Sequence, residues 1–361
     1  MAGTDTHRLY IEGDDLYAAM LAAIRAAGES IQLETYIFAD DEIGRRFADA
    51  LMAAVEKGVD VRLHIDAAGS LFWHSRALAR RMKQGGVQVR WFHRWSWRQP
   101  WRYNHRNHRK MLVTDRKRVF LGGYNIHREN SRACYGEQRW HDIHIRVSGH
   151  LGEQAARLFD AFWYGEGRAW MPPLPSGDML LSNHTHAGRR AMRRLYRDGF
   201  KQARCCIDIA TPYFVPDYRT RQALMTAAKR GMRVRLLLPR KTDVRIARWA
   251  AHASYMRLLE AGVSIYEYLP RVLHAKLMVI DGDQAAGRWV VVGTANIDYR
   301  SFFVNYEMNL ISSDPILCHD LQQQFESDLQ YSEQISARYW STRPWFHHLA
   351  EFVALLVRRW L

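Results

Sequence analysis

The chain carries the same polar motif twice, and this duplication constrains its fold more than any other feature. Both copies follow the pattern H-x-K-x-x-x-x-D and are followed by a glycine and an asparagine. The polar residues of the two copies are His108, Lys110, Asp115 and Asn125, and then His274, Lys276, Asp281 and Asn296. One copy could arise by chance, but two copies at equivalent places indicate a shared function.

Helices and short apolar segments alternate in the same order on both sides of the chain. Residues 31–38 resemble 207–214, residues 58–66 resemble 231–239, and residues 86–91 resemble 262–267. The last two pairs each begin with a glycine that follows a helix and continue into a β-rich, buried strand. We therefore predict an α/β chain of two similar halves, with mixed or parallel sheets covered by helices and a pseudo-two-fold axis between the halves.

A proline-rich segment near residue 175 predicts a linker between the halves. We expect the first half to cover residues 1–175 and the second to cover residues 176–338, with one motif in each. Residues 339–361 predict an amphipathic helix that opens at Pro344 and carries an apolar stripe, with two arginines in its last turn. We expect this helix to lie in a membrane interface, with docking on the protein body as the alternative.

The formal net charge of +15 predicts a polyanion or an anionic surface as partner. Nucleic acid and acidic membrane both suit such a field, and a basic protein with a metabolite substrate remains open. Several of the tryptophans lie among arginines in residues 91–102, which favours a membrane, because tryptophan and arginine prefer the headgroup zone. The predicted membrane-contacting residues are Trp95, Trp97, Trp101, Trp345, Phe346 and Trp360.

The four cysteines match neither a zinc site nor a disulfide framework, since Cys205 and Cys206 are adjacent, so a reducing compartment is expected. Residues 1–7 lack the apolar core of a signal peptide, and no apolar run approaches the length of a membrane span. The sequence thus predicts a soluble or peripheral protein.

Strand geometry gives the motif spacing a meaning. Residues two apart on a strand point the same way, so the histidine and lysine of each motif project from one face. In the first copy Met111 and Val113 cover the other face. The aspartates, Asp115 and Asp281, lie an odd number of positions from the histidines and begin turns. We expect them to fasten the turns rather than to touch substrate.

The double motif resembles that of the phospholipase D superfamily. The resemblance runs from Leu9 to Arg338, and the segments 34–38, 140–142, 211–217 and 296–307 resemble bacterial cardiolipin synthases in particular. It implies a duplicated phospholipase D fold of two α/β/α sandwich halves, with the active site at their interface. Many cardiolipin synthases begin with two membrane-spanning helices, and this sequence departs from them because none is predicted in it.

The residue types suit phosphodiester chemistry. One neutral histidine can attack phosphorus while a second, protonated histidine donates to the leaving oxygen. The two lysines and the asparagines Asn125 and Asn296 would hold the non-bridging oxygens as charge redistributes. Because the fixed cations are lysines, we expect no metal and no other cofactor, and no nucleotide-binding glycine motif is present.

The resemblance implies a phosphatidyl-histidine intermediate and, by analogy, His108 as nucleophile and His274 as acid. The near symmetry of the motifs leaves this order open. Each imidazole needs a partner that sets its tautomer. The resemblance points to Glu307 for His274, and Asp142 is the candidate for His108.

The resulting hypothesis is a cardiolipin synthase that transfers a phosphatidyl group between two phosphatidylglycerol molecules and releases glycerol. Its predicted catalytic set comprises His108, Lys110, Asp115, His274, Lys276 and Asp281. The expected partners are anionic phospholipids and the membrane surface, with phosphatidylethanolamine left open as a donor. The expected location is the bacterial cell membrane, bound peripherally at the cytoplasmic face. Hydrolysis by water, a nuclease of the same superfamily and a non-enzymatic membrane-binding protein are the alternatives.

Overall fold

The computed structural model describes residues 7–165, 177–282, 287–344 and 351–354. The strands of the first half are β1 (His7–Tyr10), β2 (Ser30–Thr35), β3 (Asp60–Asp66), β4 (Gln88–Phe92), β5 (Met111–Thr114), β6 (Arg118–Gly122) and β7 (His144–Ser148). Its helices are α1 (Gly13–Ala26), α2 (Glu42–Glu56), α3 (Ser75–Gln84), α4 (Arg132–Tyr135) and α5 (His150–Tyr164), with short 3-10 turns at Pro100–Asn104, Arg128–Asn130 and Gly136–Gln138.

The second half repeats this succession. Its strands are β8 (Met179–Ser182), β9 (Cys206–Ala210), β10 (Phe214–Val215), β11 (Arg233–Pro239), β12 (Ser264–Tyr268), β13 (Leu277–Ile280), β14 (Trp289–Gly293), β15 (Ile297–Asp298), β16 (Met308–Ser312) and β17 (Ser332–Ile335). Its helices are α6 (His186–Gln202), α7 (Tyr218–Lys229), α8 (Arg245–Glu260), α9 (Tyr299–Phe303), α10 (Pro315–Gln330) and α11 (Ala337–Ser341).

The strand order confirms the predicted duplication. The first sheet runs β1-β7-β6-β5-β2-β3-β4, and the second runs β17-β12-β11-β9-β13-β14-β16-β8. Read from the opposite end, the second sheet repeats the seven-strand succession of the first and adds β17 at one edge. The parallel strands of the first sheet are β2, β3 and β4, and those of the second are β9, β11 and β12.

The local sequence explains these repeated strands. Gly58 and Gly231 follow helices in the left-handed region, with φ of 86° and 87°, a conformation that glycine adopts without steric cost. The strands that follow are buried along most of their length, because helices and neighbouring layers cover both of their faces. The glycine-to-strand pattern therefore predicted real elements in both halves.

Three large hydrophobic clusters among the described residues make up most of the core, and they correspond to the layers of the fold. The outer face of the first sheet packs on α1, α2 and α3, and the outer face of the second packs on α6, α7 and α8. Between the sheets lies a shared core to which both motif hairpins contribute, through Met111 and Val113 from one half and Leu277 and Val279 from the other, together with α5 and α10. The two halves are therefore joined by burial of apolar surface beside the motifs.

Each motif aspartate binds the backbone of the neighbouring segment that leads into the central strand. Asp115 accepts hydrogen bonds from the backbone N–H groups of Gly28, Glu29 and Ser30, at 3.2, 2.8 and 3.1 Å. Asp281 does the same for the three residues that lead into β9, which are Arg204, Cys205 and Cys206. These bonds agree with a structural role for the aspartates, although the backbone they hold belongs to an adjacent segment rather than to their own turn.

Parts of the predicted linker and tail lie outside the described residues. This holds for residues 166–176 and for the predicted membrane contacts Trp345, Phe346 and Trp360. Within residues 351–354, which are helical, Glu351 and Ala354 are buried while the intervening two residues are exposed. No helix among the described residues is both long enough and apolar enough to cross a membrane.

Replacing Asp115 by asparagine should destabilise the fold. The variant loses a charged acceptor of three N–H donors, so we expect the free energy of unfolding to fall by about 2 kcal/mol in denaturant titrations. Asp49→Asn is the matched control, because Asp49 forms an ion pair with Arg81 at an exposed site. Equal losses in the two variants would contradict the fastening role.

The same variant has an expected pH dependence. Burial raises the pKa of Asp115, but the hydrogen bonds from Glu29, Ser30 and Gly28 outweigh it and leave the pKa below its usual value. The stability that this carboxylate contributes is therefore complete above the unfolded-state pKa of about 4 and is lost as the pH falls through the folded value. The difference between wild type and Asp115→Asn should accordingly shrink in acid.

Candidate active site

Two backbone bridges between the halves build the site. Asn107 pairs with Tyr306 in one bridge, and Leu273 pairs with His141 in the other. Asn107 and Leu273 directly precede the two motif histidines. Their partners, Tyr306 and His141, belong to the opposite halves and lie just before β16 and β7. Backbone hydrogen bonds complete both bridges, from His108 N to Tyr306 O at 2.9 Å and from His274 N to His141 O at 2.7 Å.

The first bridge brings His108 to Glu307. The Nδ1 atom of His108 lies 3.0 Å from Oε2 of Glu307, and both side chains are buried. The hydroxyl groups of Thr294 and Ser301 donate to the same carboxylate at 2.6 and 2.9 Å. Burial raises the pKa of Glu307, but His108, Lys110 and Thr294 together hold it below its usual value. Glu307 is therefore an ionised acceptor that fixes the His108 ring.

The second bridge brings His274 to Asp142. Their Nδ1 and Oδ2 atoms are 2.5 Å apart, and the backbone N–H of Ile143 donates to the other carboxylate oxygen at 2.7 Å. Gly123 makes this arrangement possible, because a methyl group there would lie 2.1 and 2.2 Å from the two oxygens of Asp142. At the equivalent place the second half has Thr294, whose hydroxyl donates to the carboxylate of Glu307. The two halves thus hold their carboxylates by different means.

The sequence-based assignment of carboxylates to histidines was wrong. It paired Asp142 with His108 and Glu307 with His274, whereas the structure pairs His108 with Glu307 and His274 with Asp142. The physical reason is the pair of bridges, which carry each carboxylate across to the motif of the opposite half. Both carboxylates lie beside motif histidines, but each contacts the histidine of the opposite half.

The cross-paired histidines offer their second ring nitrogens to the substrate side. Because each Nδ1 is engaged by a carboxylate, the free position on each ring is Nε2, and both rings line one cavity. Burial lowers the pKa of His108 and lowers that of His274 still further, with Lys110 and Lys276 adding to the effect. A buried imidazole that stays neutral is available as a nucleophile or a base.

The motif lysines lie beside the histidines. Lys110 donates to the backbone carbonyl of His108 at 2.9 Å, and Lys276 donates likewise to the carbonyl of His274. Burial, together with Lys276, lowers the pKa of Lys110 to about 7, and burial lowers that of Lys276 to about 8. An anion bound between them would favour their charged forms, so the site is suited to a phosphate.

The asparagines complete the cavity floor. Asn125 and Asn296 are buried and line the same cavity as the histidines. The carbonyl oxygen of Asn125 accepts from the backbone N–H of Ile37 at 3.1 Å, which leaves its amide nitrogen as the free donor. The carbonyl oxygen of Asn296 has no hydrogen-bond partner within the part of the chain that the structure describes. The predicted histidines and asparagines are thus brought together, while the motif aspartates lie on the adjacent backbone.

The catalytic cavity has a volume of about 460 Å³ and contains residues that the sequence analysis did not single out. These include Tyr36, Tyr103, Asn104, Arg106, Trp140, Tyr213, Asp243, Arg300 and Asn305. The duplicated motif pointed only to its own histidines, lysines, aspartates and asparagines, and these other residues lie outside it. The resemblance was the signal that could have found more of them, since it had already marked the segments that contain Tyr36, Trp140, Tyr213, Arg300 and Asn305.

One of the predicted membrane-contacting tryptophans of the first half lies at the cavity. Trp95 lines it directly, and Trp95 and Trp97 are 64% and 78% exposed. Trp101 lies in the 3-10 turn Pro100–Asn104. A second exposed apolar pair, Leu71 and Phe72, was missed by the sequence analysis. Leu71 lines a small surface cavity together with Trp95, so the two segments are neighbours.

Among the described residues, one group has the spacing of metal ligands. It consists of Cys205, Cys206 and Asp281, of which the carboxylate already accepts backbone hydrogen bonds. None of the three lines the catalytic cavity.

Comparison with known proteins places this geometry in a family. A family model described as "Cardiolipin synthase, PLD-like domain" matches residues 20–163 and 196–329. The chain is 34% identical over 342 residues to the probable cardiolipin synthase YwiE of Bacillus subtilis, which covers 90% of this chain and 66% of that protein. It is 34% identical over 365 residues to a cardiolipin synthase of Geobacillus kaustophilus, which covers 96% and 70%. The chain spans about two thirds of the length of these relatives.

Solved structures share the architecture. The phosphatidylserine synthase of Haemophilus influenzae matches with a TM-score of 0.75 at 13% identity, over 98% of this chain and 95% of that one. A polyphosphate kinase of Porphyromonas gingivalis matches with a TM-score of 0.66 at 15% identity, over 99% of this chain and 53% of that one. At such identities the likeness concerns the fold alone.

The tight contact of Gly123 with Asp142 gives a test of the cross-paired geometry. Gly123→Ala should displace the carboxylate and turn the His274 ring, which we expect to lower turnover of a phosphodiester substrate about a hundredfold. Gly28→Ala is the matched control, because a methyl group there meets nothing within 4 Å. Normal turnover of Gly123→Ala in a protein with an unchanged unfolding midpoint would contradict the role of Asp142.

Proposed function

The chain belongs to the cardiolipin synthase family of phospholipase D-like proteins, and we propose on this basis that it transfers a phosphatidyl group between two molecules of phosphatidylglycerol. The products are cardiolipin and glycerol. The observation that carries the proposal is the pair of buried histidines, each fixed through Nδ1 by a carboxylate and each lining one cavity. Two such imidazoles are what a two-step displacement at phosphorus requires.

In the first step, Nε2 of His108 attacks the phosphorus of the donor lipid. The bond from phosphorus to the glycerol oxygen breaks, and His274 gives a proton to the departing alkoxide. His274 takes up that proton when the substrate binds, because the negative charges of the phosphodiester and of Asp243 raise its pKa from the low value of the empty site. The phosphatidyl group is then bound to His108. Glu307 stabilises the positive charge that develops on the His108 ring, since it is ionised and 3.0 Å from Nδ1.

In the second step, His274 acts as the base. It removes the proton from a hydroxyl of the second phosphatidylglycerol, whose oxygen attacks phosphorus and displaces His108. One phosphodiester bond is broken and one is formed over the cycle, so the reaction needs no external energy source. If water took the place of the second lipid, the product would be phosphatidate and the reaction would be hydrolysis. The choice between transfer and hydrolysis therefore depends on how well the site excludes water from the intermediate.

The cations and amides of the site hold the phosphoryl oxygens during both steps. Lys110 and Lys276 flank the histidines, and Asn125 presents an amide donor to the cavity. These donors are fixed before the reaction begins, so they stabilise the charge of the transition state without reorganisation. All the groups in this scheme belong to the chain itself.

We propose that an exposed apolar and cationic surface beside the cavity contacts the membrane. It consists of Leu71, Phe72, Trp95 and Trp97, with Arg76 and Arg94 on the same small surface cavity. Aromatic side chains suit the headgroup zone, and the arginines suit lipid phosphates. Because Trp95 also lines the catalytic cavity, this surface would place the cavity mouth at the lipid headgroups. We propose peripheral attachment at the cytoplasmic face of the cell membrane.

Vesicles of phosphatidylglycerol test the reaction. The wild type should form cardiolipin and release glycerol in equal amounts, whereas His108→Ala and His274→Ala should form neither, because each lacks a group that water cannot replace. A phosphoenzyme should accumulate in the variant that retains the nucleophile. Phosphatidate in place of cardiolipin would instead identify a hydrolase. Cleavage of nucleic acid without lipid turnover would identify a nuclease and contradict the proposal.

Vesicle sedimentation tests the membrane surface. Phe72→Ala and Trp97→Ala each remove an aromatic ring that enters the interface, so we expect affinity for anionic vesicles to fall about tenfold in each. Ile316→Ala is the control, because Ile316 is a comparably exposed apolar residue on α10. An equal loss in the control, or none in the two aromatic variants, would contradict this surface.

A further inference from the structure

The two sides of the catalytic cavity differ in charge, although the halves that form them are duplicates. Beside His108 the wall contains Arg106 and Arg300. The Arg106 guanidinium lies over the Tyr103 ring, 4.3 Å from its centroid, while Arg300 donates to the side chain of Asn104 at 2.8 Å. This side attracts the anionic phosphodiester into the cavity.

The opposite side, beside His274, is aromatic and anionic. The ring of Trp140 lies 5.0 Å from that of His274, and the ring of Tyr213 lies 6.5 Å from it, measured between centroids. Asp243 also lines this side, and its negative charge acts on both His274 and Lys276. A second carboxylate that lines the cavity, Asp298, accepts a hydrogen bond from the backbone N–H of Ser301 and so caps α9. Asp243 has no such backbone partner among the described residues and no role in binding the phosphate, so it requires another explanation.

A neighbouring hydroxyl holds Asp243 in place. The hydroxyl of Tyr213 lies 2.8 and 2.6 Å from its two oxygens, and among the described residues Asp243 forms no ion pair. Burial raises the pKa of Tyr213 well above its usual value, and Asp243 adds to the rise, so the hydroxyl remains a donor. An ionised carboxylate has about four acceptor positions, so it can accept further hydrogen bonds from a ligand.

The geometry of displacement shows which part of the substrate meets this wall. The leaving oxygen departs from the side of phosphorus opposite the attacking atom, so with His108 as nucleophile the alcohol leaves and enters beside His274. The carbon atoms of that alcohol therefore lie against Trp140, Tyr213 and Asp243. In glycerol, the second carbon from the ester oxygen carries a hydroxyl donor, and in ethanolamine the same position carries an ammonium group.

Resting on the transfer reaction proposed above, we propose that Asp243 selects the alcohol by accepting a hydrogen bond from the donor group on this second carbon. Tyr213 positions the carboxylate, and Trp140 covers the carbon chain. The site therefore favours headgroup alcohols with a hydrogen-bond donor on the second carbon over simple alcohols. This preference applies both when the alcohol leaves the first lipid and when it attacks the intermediate.

Three donor lipids in otherwise identical vesicles test the inference, namely phosphatidylglycerol, phosphatidylethanolamine and phosphatidylpropanol, the last of which lacks the donor group. In Asp243→Ala, kcat/KM for phosphatidylglycerol should fall about tenfold more than kcat/KM for phosphatidylpropanol, since a hydrogen bond to a charged acceptor is lost. The ratio is the informative quantity, because Asp243 also raises the pKa of His274 and its loss affects all three lipids through that histidine.

Asp243→Asn distinguishes recognition of a headgroup hydroxyl from recognition of a headgroup ammonium group. Its amide oxygen still accepts from a hydroxyl but carries no charge for an ammonium group, so activity on phosphatidylglycerol should recover relative to Asp243→Ala. If phosphatidylethanolamine is a substrate of the wild type, its kcat/KM should stay low in both variants. Tyr213→Phe should change the ratio in the same direction by a smaller factor, and the exposed Asp49→Ala should leave it unchanged.

The outcomes distinguish the inference from the proposed function. An equal loss on all three lipids would mean that Asp243 acts only through the charge of His274 and would overturn the selection. An unchanged ratio with unchanged rates would overturn it as well. A wild type that consumes none of the three lipids would contradict the transfer reaction itself, and the inference with it.

Discussion

The two backbone bridges between the halves are the contacts on which the site depends. Each joins the segment before a motif histidine to the segment before a carboxylate of the other half, at Asn107 with Tyr306 and at Leu273 with His141. Neither half alone contains a histidine with its orienting carboxylate. Function therefore requires the apolar core between the sheets, because that core holds the two halves in the relative position at which the bridges can form.

The duplicated halves have diverged where the chemistry needs two different roles. Glu307 is surrounded by hydroxyl donors and stays ionised, whereas burial raises the pKa of Asp142, which approaches its histidine through the space left by Gly123. The cavity walls diverge in the same way, with arginines beside His108 and Asp243 beside His274. A symmetric fold thus provides an asymmetric site, as attack and proton transfer at phosphorus demand.

The sequence predicted the fold and most of the site because both are duplicated. Glycine-to-strand patterns and the repeated motif marked the sheets and the residues His108, His274, Asn125 and Asn296. The carboxylate pairing was wrong, because the bridges are backbone contacts between residues far apart in the sequence, with separations of 199 and 132 positions for the histidine–carboxylate pairs, and have no side-chain signature. Asp243 was missed for a similar reason, since a single aspartate in a loop carries no pattern until the fold brings it to the cavity.

The cross-paired geometry can be measured directly on the histidines. In protein labelled with nitrogen-15 at histidine, Glu307→Gln should lower the pKa of His108, because a carboxylate 3.0 Å from Nδ1 raises it. Asp142→Asn should lower the pKa of His274 in the same way and change that of His108 less. A larger effect of Asp142→Asn on His108 than of Glu307→Gln would show that each half orients its own histidine, and would contradict this account.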